Sequence, residues 1–395
     1  MGIQTLIELY DERPVENVLS TEVFRPDRTV FLCSFEIAKN RSMQKKLKAY
    51  FRHRGLETEL LFIKTDLYHT QRIKKELSSI IHTYPNCAID ITGGTDAALF
   101  AAGMLCAEEE GVSVFTYSRK QNTFYNIHNA PYADRLPCEV QYGIEDCFLM
   151  AGGDEKQGRV DNRLLKDYVA QFSDFFALFL KHKSEWGRLI HYIQRASHID
   201  RKMPMSLFVS AGYTVKGERG YITVPEAPLY DLQKLGWIQN LEIVKKKSVS
   251  FSFADEQIRT WLRDIGSVLE LYVYRVCVDT GLFHEVKTSV IVDWEGTFRR
   301  DSVSNEIDVI AMRGISPVFI SCKTGAITTE ALNELAVLRD RFGGNIAKAV
   351  IVTAQHCRSV TVNRAAELNI DVVDLEQLKN GRLAYALSAA VQQTR

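Results

Sequence analysis

Residues 305–311, Asn-Glu-Ile-Asp-Val-Ile-Ala, and residues 318–323, Val-Phe-Ile-Ser-Cys-Lys, decide the fold of the C-terminal part of the chain. Both stretches set a few polar residues among apolar ones, a pattern typical of buried β-strands. Gly314 and Pro317 lie between them and are turn-forming residues. The sequence therefore predicts a buried β-hairpin.

The polar side chains of this hairpin are expected to converge. Because side chains alternate between the two faces of a strand, Glu306 and Asp308 share one face of the first strand. By the same rule, Ser321 and Lys323 share one face of the second. Burying such charges is costly unless they are paired or hold a metal ion. The pattern favours the core of a metal-dependent phosphodiesterase.

A carboxylate on the preceding predicted helix, from about residue 256, can complete this site. That helix carries Glu270, four residues after a glycine. Magnesium and manganese prefer oxygen ligands, and phosphodiester cleavage needs an ion that neutralises developing charge. A lysine beside the ion can stabilise the oxyanion. The alternative is a strand-edge salt bridge between Asp308 and Lys323, with Glu306 in solvent. The order of the three motifs along the chain favours the metal site.

The composition is that of an ordinary globular protein with two or three domains. The 395 residues include 49 Lys+Arg and 49 Asp+Glu, so nucleic-acid binding would need a local basic patch. The eight cysteines are scattered without metal-ligand spacing, which predicts reduced thiols rather than structural zinc or disulfides. No targeting peptide or membrane-spanning run is apparent. We expect a cytoplasmic protein without membrane association.

Strands and helices alternate in the first 120 residues. Predicted strands cover residues 3–10, 29–33, 59–64, 88–91 and 112–117, and predicted helices cover residues 37–54, 71–82 and 96–110, with Gly111 as the final C-cap. Such alternation favours an open, mostly parallel α/β sheet, in which ligands bind beyond the carboxyl ends of the strands.

The segment Thr92-Gly93-Gly94-Thr95 ends one predicted strand and opens a helix. Glycines there let the backbone approach a ligand, and the helix N-terminus attracts phosphate. Ser34 and Asp11 follow neighbouring strands and can face the same crevice. The alternative is a plain tight turn with Thr95 as N-cap. The spacing fits neither a dinucleotide fingerprint nor a P-loop.

The middle of the chain is less informative. Residues 151–158 are predicted as a linker, and a helical stretch covers about residues 164–196. A small αβ region then ends in Leu-Gly-Trp-Ile at 235–238 and a strand near 241–253. A winged-helix module and a structural spacer are both compatible with this order. The predicted domains are 1–150, 151–255 and 256–395.

Glu270, Asp308 and Lys323, in this order, resemble the motifs of the PD-(D/E)xK nuclease superfamily. The resemblance covers about residues 256–360. It implies a restriction-endonuclease fold with Mn²⁺ or Mg²⁺ held by Glu270, Asp308 and the backbone carbonyl of Cys322. Ser321 stands where the superfamily has an acid, which leaves one carboxylate fewer; Glu306 or Glu270 would have to compensate.

The strand, Thr-Gly-Gly-Thr and helix arrangement resembles the CRISPR-associated Rossmann fold (CARF) sensor domain. With the nuclease motifs, the whole chain resembles the CARF nuclease effectors of type III CRISPR defence. This resemblance implies a homodimer that binds cyclic tetra-adenylate across its two-fold axis. The matching ligand positions are Asp11, Ser34, Thr92, Gly93, Gly94, Thr95, Asp96, Tyr117, Ser118 and Arg119. Asp96 departs from the family, which often has a lysine there.

The sequence thus predicts a cyclic tetra-adenylate-activated, metal-dependent endonuclease acting on DNA or RNA. Asp308 and Glu270 would bind the metal, Ser321 would support them, and Lys323 would assist the attack of water. The alternatives are a catalytically inactive messenger-binding module, a messenger-responsive transcription regulator, and a sensor that also degrades its messenger. Two basic patches, 245–247 and 299–300, and Gln355 are further candidates for contact with nucleic acid; an ordinary surface role is open for each.

Overall fold

The computed structural model describes residues 2–197, 206–218, 220–299 and 302–392. The N-terminal unit is built on one mostly parallel sheet. Its strands are β1 (Thr5–Leu9), β2 (Arg28–Cys33), β3 (Glu59–Lys64), β4 (Cys87–Asp90), β5 (Ser113–Ser118), β6 (Thr123–His128) and β7 (Leu136–Pro137). Its helices are α1 (Leu19–Phe24), α2 (Phe35–Lys39), α3 (Arg41–His53), α4 (Thr70–Thr83), α5 (Asp96–Glu108) and α6 (Ile144–Met150).

The strand order of this sheet is β3-β2-β1-β4-β5-β6-β7. Strands β1 to β5 pair in parallel, and β6 and β7 add an antiparallel edge. The order reverses direction between β1 and β4, which is the switch point where open α/β sheets bind ligands. The Rossmann-like α/β fold predicted from the sequence is confirmed.

Two details of the helices differ from prediction. The helix predicted over 37–54 is interrupted at Asn40, whose side chain accepts a hydrogen bond from Met43 N–H at 3.0 Å and so starts α3 afresh. Helix α5 has its C-cap at Glu109, two residues before the predicted Gly111.

The middle region contains two antiparallel sheets and three helices among the described residues. Its elements are α7 (Phe172–Lys181), α8 (Trp186–Ala196), β9 (Phe208–Gly212), β10 (Thr214–Lys216), β11 (Tyr221–Thr223), α9 (Glu226–Lys234), β12 (Ile238–Val244) and β13 (Ser248–Phe253). The strand predicted near 241–253 is a hairpin, because residues 245–247 form an exposed turn between β12 and β13. Helix α9 followed by this hairpin has the order of the predicted winged module.

The C-terminal unit is a three-layer αβα arrangement. Its elements are β8 (Asp154–Gln157), α10 (Glu256–Trp261), α11 (Ser267–Asp279), β14 (Glu285–Asp293), β15 (Ser304–Arg313), β16 (Ser316–Lys323), α12 (Thr329–Phe342), β17 (Lys348–Thr353), α13 (Ser359–Glu367), β18 (Ile370–Val373), α14 (Leu375–Lys379) and α15 (Leu383–Gln392). The strand order is β18-β17-β16-β15-β14-β8. Helices α11 and α15 cover one face of this sheet and α12 covers the other.

The linker predicted over 151–158 is wrong for residues 154–157. These residues form β8, which pairs antiparallel with β14 from Val290 to Asp293. The segment is polar, so its sequence carries no strand pattern. Its backbone satisfies the hydrogen bonds that the edge of β14 would otherwise leave open.

The long helix predicted from residue 256 is also divided. Asp264 accepts hydrogen bonds at its Oδ2 from the backbone N–H groups of Gly266 (3.1 Å) and Ser267 (2.9 Å). These bonds satisfy N–H groups at the start of α11 and separate it from α10. Glu270 therefore lies in the first turn of α11 rather than in the middle of one long helix.

All eight cysteines, which fall within the described residues, are free thiols as predicted. Within the described ranges, we find no helix with the length and apolar character needed to cross a membrane.

Candidate active site

The two strands of the predicted hairpin bring their polar side chains together. Glu306, Asp308, Ser321 and Lys323 line one cavity of about 220 Å³ beside α12. The antiparallel register of β15 and β16, with Val309 opposite Ile320, sets this arrangement. We call this candidate for the predicted active site the catalytic cavity.

The turn between the strands is tighter than predicted. Arg313 pairs with Ser316, so the connection consists of Gly314, at a φ of 56°, and Ile315. A positive φ at this position suits glycine. Pro317 was predicted in the turn but lies within β16, opposite Met312.

Asp308 is the centre of the hydrogen bonds in the catalytic cavity. Its Oδ2 accepts from the Cys322 N–H at 2.6 Å and from the Ser321 hydroxyl at 3.1 Å, and it lies 3.7 Å from Lys323 Nζ. Burial raises the pKa of Asp308, and these three donors oppose that rise. The donors hold one oxygen of Asp308 in a fixed direction.

Glu270 approaches from α11. Its side chain is buried, and within the described part of the chain its carboxylate accepts no hydrogen bond. Burial, and then the negative charge of Asp308, raise the pKa of Glu270 well above its ordinary value. A buried carboxylate whose proton affinity is raised by burial and by a second carboxylate is a site where a divalent cation relieves both repulsion and desolvation.

Glu306 has hydrogen-bond and ion-pair partners of its own. Its Oε1 accepts from the Ser289 hydroxyl at 2.7 Å and lies 3.4 Å from Arg159 Nη2. The Arg159 guanidinium also pairs with Asp264 at 2.6 Å. Sequence reasoning missed Arg159 and Asp264, because only the folding of the segment after β8 onto β14 brings residue 159 beside residue 306.

The thiol and the backbone of Cys322 lie in different surroundings. The thiol is buried on the α11 face, opposite the catalytic cavity, as the strand alternation predicts. Burial and then the charge of Asp308 raise the pKa of this thiol well above its ordinary range, so it is not a reactive thiolate at neutral pH. Across the described ranges, no three His, Cys, Asp or Glu side chains are arranged to hold a metal ion by themselves.

A second site lies at the carboxyl ends of β1 to β4. A cleft of about 820 Å³, which we call the N-terminal cleft, opens there. Of the ten predicted ligand positions, Asp11, Ser34, Gly94 and Thr95 line it, and the other six do not. The lining residues that the sequence did not single out are Tyr10, Glu12, Arg13, Phe35, Glu36, Ile37, Thr65, Asp66, Leu67 and Tyr68.

The glycine turn at this cleft has a structural role, because it contacts Asp11 closely. Gly94 N–H donates to Asp11 Oδ2 at 3.1 Å, and Arg13 Nη2 donates to the same oxygen at 2.6 Å. Burial would raise the pKa of Asp11, but the Arg13 and Gly94 hydrogen bonds outweigh it and lower the pKa. A side chain at Gly93 would meet Asp11 Cβ at 2.9 Å, so glycine is needed for this close approach.

Thr92, Tyr117 and Arg119 do not line the N-terminal cleft. Tyr117 N–H donates to Thr92 Oγ1 at 2.8 Å, and Arg119 forms an ion pair with the buried Glu16. Tyr117 and Arg119 line a separate cleft of about 610 Å³, which reaches Arg313 in the β15–β16 hairpin. Asp96 is exposed as the first residue of α5, where a carboxylate complements the helix dipole.

The remaining candidates for nucleic-acid contact have different surroundings. Gln355 Nε2 donates to the Thr324 carbonyl at 3.2 Å, immediately after Lys323. Arg299 is exposed at the end of the loop after β14, and Arg300 lies outside the described residues. Residues 245–247 form the exposed turn described above, on a different unit from the catalytic cavity.

Comparison with known proteins agrees with this geometry. Residues 255–386 match the family model of the Card1-like endonuclease domain. The resemblance to the CARF nuclease effectors is confirmed. We refer to this part of the chain as the nuclease domain and to the N-terminal unit, for which the sequence predicts a sensor role, as the sensor domain.

Solved structures share the fold of the whole chain at low sequence identity. Protein VC1899 from Vibrio cholerae has a TM-score of 0.74 at 18% identity, over 100% of this chain and 98% of that one. Can2 from Sulfobacillus thermosulfidooxidans, solved in complex with cyclic tetra-adenylate, has a TM-score of 0.68 at 16% identity, over 98% and 97%.

A type III CRISPR defence DNA nuclease activated by cyclic oligoadenylate has a TM-score of 0.50 at 14% identity. The alignment covers 97% of this chain and 52% of that nuclease. No protein in the curated set matches the sequence.

Proposed function

We propose that this chain is a metal-dependent endonuclease of type III CRISPR defence, activated when a homodimer of its sensor domains binds cyclic tetra-adenylate. The observation that carries the nuclease assignment is the convergence of Asp308, Ser321 and Lys323 in the catalytic cavity of a Card1-like endonuclease domain. Two structural neighbours, Can2 in complex with cyclic tetra-adenylate and the defence nuclease activated by cyclic oligoadenylate, support the choice of activator.

The donor set of the nuclease domain fits a divalent cation such as Mn²⁺ or Mg²⁺. Glu270 and Asp308 would hold it, with the Cys322 carbonyl as a third oxygen ligand. The support for this is the Glu270 carboxylate, which is buried beside Asp308 without a hydrogen-bond donor in the described chain. The ion would neutralise charge at the scissile phosphate and favour deprotonation of the attacking water.

Lys323 is proposed to stabilise the negative charge that develops on the phosphate oxygens during attack. Its side chain is 38% exposed and its Nζ is 3.7 Å from Asp308, so the ammonium is oriented by a carboxylate yet open to substrate. Ser321 is proposed as a positioning residue, because its hydroxyl donates to Asp308 rather than facing an open ligand position.

The N-terminal cleft is proposed as the messenger site. Its lining combines the exposed aromatic side chains Phe35 and Tyr68 with one guanidinium, Arg13. Carboxylates of the same lining offset that positive charge. Adenine stacking and hydrogen bonding, rather than net charge, would therefore supply most of the recognition within one subunit.

The assignment is tested with Lys323→Ala. We expect Mn²⁺-dependent cleavage of labelled single- and double-stranded DNA and RNA, in the presence of cyclic tetra-adenylate, to fall by about 100-fold or more, because one electrostatic contact of the transition state is lost. Binding of the messenger, measured by calorimetry, should stay unchanged. Lys75→Ala, at an exposed position of α4 outside the clefts described above, is the matched control. Undiminished cleavage by Lys323→Ala would refute the site.

One observation favours a second candidate, a messenger-binding module without strong catalysis. Ser321 replaces an acid, and among the described residues no third acidic side chain joins Glu270 and Asp308 in a ready metal site. The same cleavage panel separates the two functions, because this second protein would bind messenger without messenger-dependent cleavage of any of the four substrates.

A further inference from the structure

A cleft not used by the proposed catalytic or messenger sites lies between the α7–α8 turn and the nuclease domain. It has a volume of about 590 Å³. One wall contains Thr324, which follows Lys323, and Ile265, which lies in the loop leading to the helix of Glu270. The cleft therefore borders the segments that carry the proposed catalytic residues. We call it the basic cleft.

One ammonium group at this cleft, that of Lys183, lacks a counter-ion. Lys183 lines the basic cleft and is half-buried; within the described ranges its side chain has no ion pair or hydrogen bond. Burial, and then repulsion from Lys379 on α14, lower the pKa of Lys183. Neighbouring Lys181 differs, because its Nζ is paired with Asp231 at 2.6 Å. The local field beside Lys183 favours an anion.

The other donors in the basic cleft suit phosphate rather than bases. An amide side chain has two N–H donors, and the Gln355 contact to the Thr324 carbonyl accounts for one of them. The aromatic side chains in the lining, Phe179 and Trp186, are each 2% exposed and pack against one another at 5.3 Å between ring centroids. They present no free ring on which a base could stack.

We infer that the basic cleft holds the backbone of the nucleic-acid strand on one side of the scissile phosphate, with Lys183 as the main phosphate contact. This inference rests on the proposed nuclease function and adds the path of the substrate. Recognition through phosphates alone is independent of base sequence and of the 2′-hydroxyl. DNA and RNA strands should therefore both depend on Lys183.

The inference is tested with Lys183→Glu in the full chain. Binding of fluorescein-labelled dT12 and U12 is measured by anisotropy between 50 and 200 mM salt, values typical for such titrations. We expect Lys183→Glu to weaken binding of both strands by about tenfold and to make the logarithmic salt dependence shallower by about 0.7, the value for one phosphate contact. Lys183→Arg should stay within about twofold of the wild type.

Cleavage kinetics give a second readout. With cyclic tetra-adenylate and Mn²⁺, Lys183→Glu should raise the KM of a 12-mer by about tenfold and leave kcat nearly unchanged, because the contact is remote from the reacting phosphate. Lys75→Glu, at an exposed position of α4 in the N-terminal unit, is the matched control. A wild-type KM and salt dependence for Lys183→Glu, or a loss confined to one of the two strands, would overturn the inference.

Failure of the proposed function is distinguishable from failure of this inference. A wild-type protein that cleaves nothing, but whose binding of dT12 and U12 depends on Lys183, would contradict the nuclease assignment and leave the basic cleft as a nucleic-acid site. A wild-type protein that cleaves normally, with binding indifferent to Lys183, would contradict the basic cleft alone.

Discussion

At the scale of single residues, Ser321 shows how this site departs from the motif that it resembles. Its hydroxyl donates to Asp308 Oδ2 at 3.1 Å, on the same oxygen that the Cys322 N–H contacts. The serine thus orients one carboxylate and contributes no charge. An acid at this position would lie beside Asp308 and close to the buried Glu270.

Ser321→Asp is expected to lower the stability of the metal-free protein and to raise its affinity for the metal ion. In EDTA, the extra carboxylate should lower the thermal midpoint by about 2 to 6 °C, because like charges repel in a buried cavity. Added Mn²⁺ should raise the midpoint more for Ser321→Asp than for the wild type, since a ligand that binds the folded state tightly stabilises it more. Differential scanning fluorimetry at several Mn²⁺ concentrations measures both effects.

Ser321→Ala is the matched variant, since it removes the hydroxyl and adds no charge. Its response to Mn²⁺ should not exceed that of the wild type. Equal Mn²⁺-induced shifts for Ser321→Asp and the wild type would argue against a cation beside Asp308.

At the scale of elements, the loop after β14 is organised by one carboxylate. Asp293 is fully buried and accepts backbone N–H groups from Glu295 (2.8 Å), Thr297 (3.3 Å) and Phe298 (2.7 Å), as well as the Ser302 hydroxyl. Burial opposes its ionisation, but these four donors prevail and lower the pKa of Asp293 to about 2. The loop carries Phe298 and Arg299 beside the sheet that holds Asp308.

Asp293→Asn should destabilise this loop. The amide that replaces one carboxylate oxygen faces N–H donors and cannot accept from them, a loss of about 2 to 4 kcal/mol. Chemical unfolding monitored by tryptophan fluorescence measures the change. Asp279→Asn, at an exposed helix end where the carboxylate contacts only Arg275, should cost less than about 0.5 kcal/mol.

The same carboxylate predicts a pH dependence. Because the folded-state pKa of Asp293 lies below its ordinary value of 3.8, its contribution is complete above about pH 4 and is lost as the pH falls toward 2. The unfolding free energy of Asp293→Asn should therefore fall less steeply over this interval than that of the wild type. Parallel pH profiles for the two proteins would contradict the role given to Asp293.

The elements also show what the sequence could predict and why the rest escaped. Hydrophobic alternation was sufficient to predict strands β15 and β16. The same alternation predicted that Asp308 and Lys323 lie close together, and they line one cavity. The helix breaks at Asn40 and Asp264 were not predicted, because a single capping side chain determines each of them and the hydrophobic periodicity continues across both. Strand β8 was not predicted, because it forms by pairing with the edge of β14 and its own sequence has no strand pattern. Arg159, which follows it, could not be connected with the site for the same reason.

At the scale of the whole molecule, α6 and the segment before it link a buried charge cluster of the sensor domain to the nuclease domain. Arg54, which follows α3, pairs with Glu22 at 2.8 Å and with Asp146 of α6 at 2.9 Å. Both carboxylates are almost fully buried. Just before α6, the Tyr142 N–H donates to the Gly314 carbonyl of the nuclease domain at 3.0 Å, in the turn between β15 and β16. Displacing this end of the sensor domain must break that bond or move the turn.

Arg54→Met is expected to destabilise the protein by about 3 kcal/mol, because it leaves two buried carboxylates without their shared cation. Equilibrium denaturation of the full chain should show the loss as a lower urea midpoint. Arg52→Met, two residues earlier and exposed, should leave the midpoint within error of the wild type. A wild-type midpoint for Arg54→Met would contradict the stabilising role given to these two ion pairs.

Strand β8 has a consequence for how such chains can be recombined. The nuclease sheet takes its outermost strand, Asp154–Gln157, from the stretch directly behind the last sensor helix. A graft of this nuclease onto a foreign receptor must therefore include those four residues. A cut downstream of them would leave the backbone of Val290–Asp293 without its hydrogen-bonding partner strand. An exposed strand edge of this kind pairs with neighbouring molecules and promotes aggregation.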